Sequence, residues 1–215
     1  AASTWERAKR AVLGFRYWID EPGDDVMWFF SENHALLFHV CELAAGQLYP
    51  DEIFPNSGLT GRGHRAKAEL LLEGWFERFT AEGLTEWDSS AYIPVDLLGL
   101  ASLLELAGSA PLRESAKQAL DRLFRVMALK GFRGMLALSM GRCYEKELKG
   151  NYTNGTSAIA WVAWGSGFLN QSAMALAALC LSGYEPPAGL AEYLELGPGT
   201  ALEVRGTQGF EGHVD

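Results

Sequence analysis

Apolar side chains recur every three or four residues along most of the chain, which is the pattern of amphipathic helices. Five segments with this spacing span the first 130 residues. The predicted helices cover about Thr4–Trp18, Glu32–Gln47, Arg62–Thr80, Pro94–Ala107 and Pro111–Lys130. The first, third and fifth are amphipathic, whereas the second and fourth are apolar around most of their circumference. This alternation predicts an all-α fold with outer and inner helices.

The second part of the chain predicts shorter elements. A Gly-rich stretch, Gly131 to Gly155, has room for a short hairpin. Small apolar helices are predicted at Thr156–Trp164 and Gln171–Leu181, with one more short helix at Pro186–Leu194. We expect one helical domain over residues 1–195 and an irregular Gly-rich tail over 196–215, which could lead into a further region.

The order of amphipathic helix, long loop and apolar helix repeats three times at a spacing of roughly 50 residues. Such a repeat predicts helical hairpins stacked as a partial or complete α/α toroid, with one helix outside and one inside in each repeat. Equivalent connections then emerge at one end of the barrel. Polar and aromatic residues in the three outer-to-inner connections should therefore converge on one mouth.

Each of these connections contains an unusual polar and aromatic motif. They are Trp28–His34, Glu86–Tyr92 and Gly141–Tyr144. Ser31 is a good N-cap for the second helix, so the following residues should occupy its first turn. Free backbone N–H groups and the helix dipole create a positive potential there, which suits a ligand site.

Composition excludes several functions. The net charge of −9, without a Lys/Arg cluster, argues against nucleic acid and anionic membranes as partners, and an anionic substrate would need local basic residues. No apolar run reaches the ~18 residues of a membrane span. The three cysteines lack CxxC spacing, so neither a disulfide framework nor a zinc site is expected. The compartment is left open.

The motifs Trp28–His34, Leu43–Asp51, Glu86–Tyr92 and Gly141–Tyr144 resemble a poorly characterised group of bacterial α/α-toroid proteins. The resemblance covers roughly residues 15–150. More loosely, the architecture is similar to toroid polysaccharide lyases and six-hairpin glycosidases, whose complete toroids have about twice as many hairpins. The resemblance implies a fragment, a truncated toroid, or a half completed by more of the polypeptide or by a second subunit.

Toroid lyases that resemble this fold use Asn, His, Tyr and Arg for β-elimination from a uronate. By that resemblance, Asn33 would bind the carboxylate and Arg142 would pair with it bidentately. His34 or Tyr92 would act as base, and Tyr92 or Tyr144 as acid. This chemistry requires no metal or other cofactor. The expected partner is a polysaccharide or oligosaccharide.

Two alternatives stay open. A glycoside hydrolase would use Glu32 with Glu86 or Asp88 as its acid and base, and Trp87 as a sugar-stacking platform. Trp28 would join these side chains in binding substrate. A non-catalytic carbohydrate-binding or scaffold domain would use the same mouth without turnover.

Structural roles compete with these assignments. Glu32 could serve only the helix dipole, His34 could be a cap, and the loop aromatics could be anchors. His39 and Glu42, one turn apart, are expected to form a hydrogen-bonded pair rather than a metal site. His64 is expected in solvent at the start of an exposed helix. Cys41 and Cys180 are expected in the core.

Overall fold

The computed structural model describes residues 3–136, 138–150 and 152–206. Over these residues the chain is mostly helical, with 54% helix and 3% strand. The helices are α1 (Thr4–Leu13), α2 (Glu32–Leu48), α3 (Gly61–Glu82), α4 (Ile93–Leu106), α5 (Ala110–Lys130), α6 (Glu145–Leu148), α7 (Gly155–Trp164) and α8 (Leu176–Ser182). Strands β1 (Gly131–Phe132) and β2 (Met135–Leu136) form an antiparallel hairpin. The predicted all-α class is confirmed.

Helix α4 lies at the centre of the core. It packs against α2, α5, α7 and α8, which explains why its sequence is apolar on all sides. Leu97, Leu100 and Leu103 are fully buried. The missing side chain of Gly99 admits Leu36 of α2, because an added Cβ would lie 2.9 Å from the Leu36 Cγ atom. The inner helices α2 and α4 therefore cross at close range.

Neighbouring helices form two hairpins around this crossing. Helix α2 packs along α3, α4 packs along α5, and α3 contacts α5. The two apolar helices are thus adjacent, and the two charged helices flank them. This arrangement brings the connections that precede α2 and α4 to the same end of the hairpins.

The first helix is shorter than predicted. It ends at Leu13 instead of Trp18, with Gly14 at its C-cap, and none of its ten residues is buried. Glycine lowers helix stability at this point. The chain that follows turns inward, where Tyr17 is only 3% exposed and donates a hydrogen bond to the Val12 carbonyl at 2.9 Å.

Differences in the second half have similar local causes. Helix α8 begins at Leu176, not at Gln171, and upstream of it the Ser172 N–H donates to the Asn170 side chain at 2.8 Å. Such side-chain bonds compete with helix formation. The predicted helix at 186–194 is a 3₁₀ turn, Leu190–Tyr193. Residues 196–206 contain neither helix nor strand, and 207–215, the rest of the predicted tail, lie outside the described residues.

Two further expectations concern the cysteines and a membrane span. Cys41 and Cys180 are exposed rather than buried, because α2 and α8 each leave one face towards solvent. Within the part of the chain that is described, no helix combines the length and apolarity needed to cross a bilayer.

Candidate functional site

The connections before α2 and α4 and the loop after β2 meet around one cavity. Its volume is about 430 Å³. The lining residues are Trp28, Phe30, Ser31, Glu32, His34, Thr85, Glu86, Tyr92 and Arg142. We call this cavity the mouth. It brings together side chains that are more than 100 residues apart in sequence.

Glu32 joins the start of α2 to the second connection. Its two carboxylate oxygens accept hydrogen bonds from the backbone N–H groups of Thr85 and Glu86, both at 2.9 Å. The Glu32 carbonyl also accepts from Trp75 Nε1 at 2.9 Å. Both carboxylate oxygens therefore hold the loop in place, which is a positioning role.

Asn33 links the same two segments through its side chain. Its Nδ2 donates to Glu86 Oε2 at 2.6 Å, and its Oδ1 accepts from the Ser31 hydroxyl at 2.9 Å. Ser31 does occupy the N-cap position, but its hydroxyl is used for this contact. Burial raises the pKa of the Glu86 carboxyl, and the Glu32 carboxylate raises it further. Glu86 therefore holds its proton to a higher pH than an ordinary glutamate.

Tyr92 and Arg142 line the mouth, and Tyr144 is hydrogen-bonded to both of them. The Tyr92 and Tyr144 hydroxyls lie 2.7 Å apart, and Arg142 Nε donates to the Tyr144 oxygen at 3.2 Å. The Tyr144 hydrogen bond raises the pKa of Tyr92 to about 12. The hydrogen bonds from Tyr92 and Arg142 lower the pKa of Tyr144. Of the two phenols, Tyr144 is the one that ionises first.

The loop that contains Arg142 is fixed to the second connection by backbone contacts. Gly141 N–H donates to the Trp87 carbonyl at 2.8 Å, and the Ser89 hydroxyl donates to the Arg142 carbonyl at 2.6 Å. A Cβ at Gly141 would lie 3.0 Å from the Thr85 oxygen and from the Trp87 nitrogen. Glycine permits this close approach of the two loops.

Two predicted site residues lie elsewhere. The Asp88 carboxylate accepts hydrogen bonds from Lys130 Nζ at 2.8 and 3.0 Å, and Asp88 is only 6% exposed. Trp87 and Asp88 line a different cavity of about 260 Å³ against α5. The aromatic surface of the mouth comes instead from Trp28 and Phe30, which are 55% and 82% exposed.

Trp28 has a strained backbone. Its φ of +54° is in the left-handed region, which costs a non-glycine residue of order 1 kcal/mol. Its ring packs edge to face on Phe30, with 5.5 Å between centroids. The turn is closed by the Ser31 N–H, which donates to the Trp28 carbonyl at 3.0 Å. The turn thus places a half-exposed indole at the edge of the mouth.

His34 and Asp96 complete the surroundings of the mouth. His34 lines it, and its buried Nδ1 has no partner among the described residues. Asp96, in the first turn of α4, is 1% exposed, and burial raises its pKa well above the ordinary value, with Glu32 and Glu86 adding to the effect. Asp96 is not among the site residues that the sequence predicts. The feature of the sequence that could have indicated it is a single acidic residue in the otherwise apolar first turn of α4.

A second polar cluster occupies the far end of the α2–α3 hairpin and corrects two predictions. Glu42 pairs with His64, not with His39, and the distance from its Oε1 to His64 Nδ1 is 2.7 Å. His64 is fully buried rather than solvated, because the Tyr17 and Phe54 rings pack against it. His39 Nδ1 has no partner in the described part of the chain.

Glu21 joins this cluster. Glu21, Glu42 and His64 offer three ligand atoms within 4.8 Å of one another, a set that could hold a metal ion. However, Lys67 Nζ lies 3.4 Å from Glu21 Oε1 and 3.5 Å from Glu42 Oε1. The ammonium group thus already supplies a positive charge to both carboxylates.

Comparison with profiles of protein families, with curated proteins and with solved structures finds no match.

Proposed function

We propose that this chain is a carbohydrate-active domain that cleaves a uronic-acid glycan by β-elimination. The observation that carries the proposal is the hydrogen-bonded cluster of Tyr92, Arg142 and Tyr144, of which Tyr92 and Arg142 line the mouth. β-Elimination needs a base for the C5 proton, an acid for the leaving oxygen and a partner for the substrate carboxylate. The cluster offers one group of each kind within hydrogen-bond distance of the next.

Tyr144 is the base in this proposal. Its phenolate removes the C5 proton, a C4=C5 double bond forms, and the bond from C4 to the leaving oxygen breaks. Tyr92, whose pKa is about 12, gives its proton to that oxygen. The proton on Tyr144 then passes to the Tyr92 phenolate across their 2.7 Å hydrogen bond, which restores the starting state. In this series of steps Tyr144 is the base and Tyr92 is the acid. The resemblance instead allows His34 or Tyr92 as the base.

The substrate carboxylate would be held between Arg142 and Glu86. The Arg142 side chain is exposed and lies 3.9 Å from Glu86 Oε1, so it can turn towards a uronate. A protonated Glu86 can donate a hydrogen bond to the same carboxylate, which its raised pKa favours. Asn33, already bound to Glu86, then positions Glu86 instead of binding the sugar directly.

The architecture proposed for this chemistry is a partial α/α toroid. It is supported by the adjacent inner helices α2 and α4, the outer helices α3 and α5, and the shared end at which their connections lie. The remaining hairpins of a complete toroid would come from more of the polypeptide or from a second subunit.

The contacts favour elimination over hydrolysis by paired carboxylates. Glu32 uses both oxygens on backbone N–H groups, and Asp88 is bound to Lys130 outside the mouth. Of the three carboxylates weighed for that reaction, only Glu86 is free enough to act as an acid.

The test is incubation with a panel of polyuronates and neutral glycans, followed by ultraviolet absorbance and by reducing-end assay. Elimination yields a conjugated double bond together with new ends. Tyr144→Phe should lower the rate by about 10²- to 10⁴-fold. Tyr152→Phe, a 76% exposed tyrosine outside the mouth, is the matched control and should leave the rate unchanged. New ends without absorbance would indicate hydrolysis, and binding without turnover would indicate a carbohydrate-binding domain.

A further inference from the structure

Three side chains at the far end of the α2–α3 hairpin form a continuous chain of short hydrogen bonds. Ser57 Oγ lies 2.6 Å from His64 Nε2, and His64 Nδ1 lies 2.7 Å from Glu42 Oε1. Glu42 is ten residues after Glu32 on α2, which places it about 15 Å along the helix from the mouth. The proposed elimination uses none of these three groups.

The hydrogen bonds define the tautomer of His64. A carboxylate only accepts, so Nδ1 carries the proton in the Glu42 contact. Nε2 of the neutral imidazole is then the unprotonated nitrogen, and it accepts from the Ser57 hydroxyl. Lys67 Nζ lies 3.5 Å from Glu42 Oε1, so a positive charge stands beside the carboxylate that contacts Nδ1. Glu42 and His64 both have fully buried side chains, so solvent does not compete for these bonds.

Ser57 lies in a loop whose following residues, Gly58 to Thr60, are exposed to solvent. It is half-buried, near the tip of a tight loop that an Ile53 and Thr60 bridge closes, and it precedes Gly58 with φ +72°. The Leu59 N–H donates to Ser57 Oγ at 3.1 Å. A donor on this oxygen stabilises the alkoxide that forms when the proton leaves. The alternative acceptor for the hydroxyl, the Phe54 carbonyl, is farther away at 3.4 Å.

The position of the imidazole is fixed by packing. Tyr17 and Phe54 place their ring centroids 5.7 and 4.3 Å from that of His64. The start of α3 approaches α2 closely, because a Cβ on Gly46 would lie 2.5 Å from the Gly61 oxygen. Helix α2 therefore carries Glu42 directly against the helix that carries His64. A group held on packed helices keeps its geometry better than one on a loop.

We propose that Ser57, His64 and Glu42 form a second reactive site, in which Ser57 is the nucleophile for small carboxylic esters. His64 is the general base and Glu42 is the residue that positions it. The arrangement of roles is that of a serine hydrolase triad, recognised by geometry and not by sequence order. Ile53 and Leu59 of the same loop have exposed apolar side chains, which could contact a short acyl group.

The reaction runs in two balanced steps. Ser57 Oγ forms a bond to the ester carbonyl carbon while its proton moves to His64 Nε2. The tetrahedral intermediate then loses the alcohol oxygen, which takes the proton from Nε2 and leaves an acyl-serine. In the second step water attacks the acyl carbon, Nε2 takes and returns one proton, and the acid leaves with Ser57 restored.

The experiment uses the full chain with two probes, a fluorophosphonate and p-nitrophenyl acetate. We expect one phosphonyl group per chain, located on Ser57 by peptide mass spectrometry, and a burst of p-nitrophenolate. Ser57→Ala should abolish both signals. Ser109→Ala is the matched control, since Ser109 is a half-buried serine in the separate connection between α4 and α5. It should react as the parent protein does.

Glu42→Gln tests the positioning role. An amide in this place can donate to Nδ1, which favours the wrong tautomer, so labelling of Ser57 should slow by about 100-fold or more in a variant whose circular dichroism is unchanged. If Glu42→Gln does not fold, the rate of Ser57 labelling is compared between the native and the urea-unfolded parent protein. The proposal would be overturned if Ser57 in the native protein were labelled no faster than in the unfolded protein. It would also be overturned if a folded Glu42→Gln variant were labelled at the same rate as the parent protein.

Discussion

The two buried histidines near the α2–α3 interface have opposite environments. His64 has a hydrogen-bond partner on each ring nitrogen, whereas His39 packs its ring 4.3 Å from that of Trp18. Burial, together with the positive charges of Lys67 and Arg78, lowers the pKa of His39 to about 4. His39 is thus a neutral core residue at pH 7, although its residue type permits a charge.

This environment predicts a pH-dependent stability. Between pH 6.5 and about 4 the unfolded chain takes up a proton that folded His39 does not, so the stabilising contribution is complete above about pH 6.5 and falls as the pH decreases towards 4. The loss should reach about 2–3 kcal/mol. Urea denaturation at pH 7.0 and 4.5 measures it.

His39→Leu is the control, because leucine fills a similar volume without titrating. The raised pKa of Asp96 acts in the opposite direction, since the folded state then binds the extra proton. That contribution is common to both proteins and cancels in their difference. An equal change in unfolding free energy for parent and His39→Leu would show that His39 is not the group responsible.

Among the elements, the contact between two loops decides whether the mouth exists. The loop of Gly141 carries Arg142 and Tyr144, and the second connection carries Glu86 and Tyr92. Their backbones approach so closely at Gly141 that an added Cβ would lie only 3.0 Å from backbone atoms of the second connection. The relative position of base and acid in the proposed reaction therefore depends on a residue without chemistry of its own.

Gly141→Ala should separate the two loops. The added methyl group would meet backbone atoms at 3.0 Å, and backbone cannot move as a flexible side chain would. We expect a loss of lyase activity of about 10-fold or more and a destabilisation of about 1–3 kcal/mol, the usual range for overpacking. Activity assays and thermal melts measure the two effects.

Gly74→Ala is the control. Its Cβ would have only Arg78 Nη1 nearby, at 3.8 Å, so this variant should be neutral or stabilised by up to about 1 kcal/mol. Equal activity in both variants would contradict this role of Gly141.

Periodicity along the chain was enough to predict α2 to α5, because each buries a continuous stripe or a whole surface in the core. The three motifs around the mouth could also be named, since they interrupt this periodicity. Contacts between distant residues could not be derived. Glu42 has a histidine one turn before it on α2, yet its partner is His64 on the next helix, and Asp88 is removed from the mouth by Lys130 on α5. Such partners depend on how the helices pack, which local spacing does not encode.

For the whole molecule, net charge and local charge have opposite effects on the proposed substrate. The chain carries a net charge of −9, so a polyuronate approaching from a distance is repelled. At the mouth, Arg142 offers an exposed guanidinium, which the proposed function assigns to the carboxylate of the substrate. The long-range repulsion lowers the rate of association, whereas the contact with Arg142 stabilises the complex once it has formed.

Salt should separate these two effects. The Debye length falls from about 30 Å at 0.01 M to about 10 Å at 0.1 M ionic strength, which screens the distant repulsion but leaves the contact at Arg142 largely intact. We therefore expect kcat/KM on a polyuronate to rise by roughly 2- to 10-fold over this range, because association becomes faster. The value of kcat should change little, since the saturated complex already contains the carboxylate. Initial rates of absorbance increase at several substrate concentrations give both constants. A fall of kcat/KM with salt would mean that a positive field around the mouth dominates the approach, contrary to the distribution of charge in this chain.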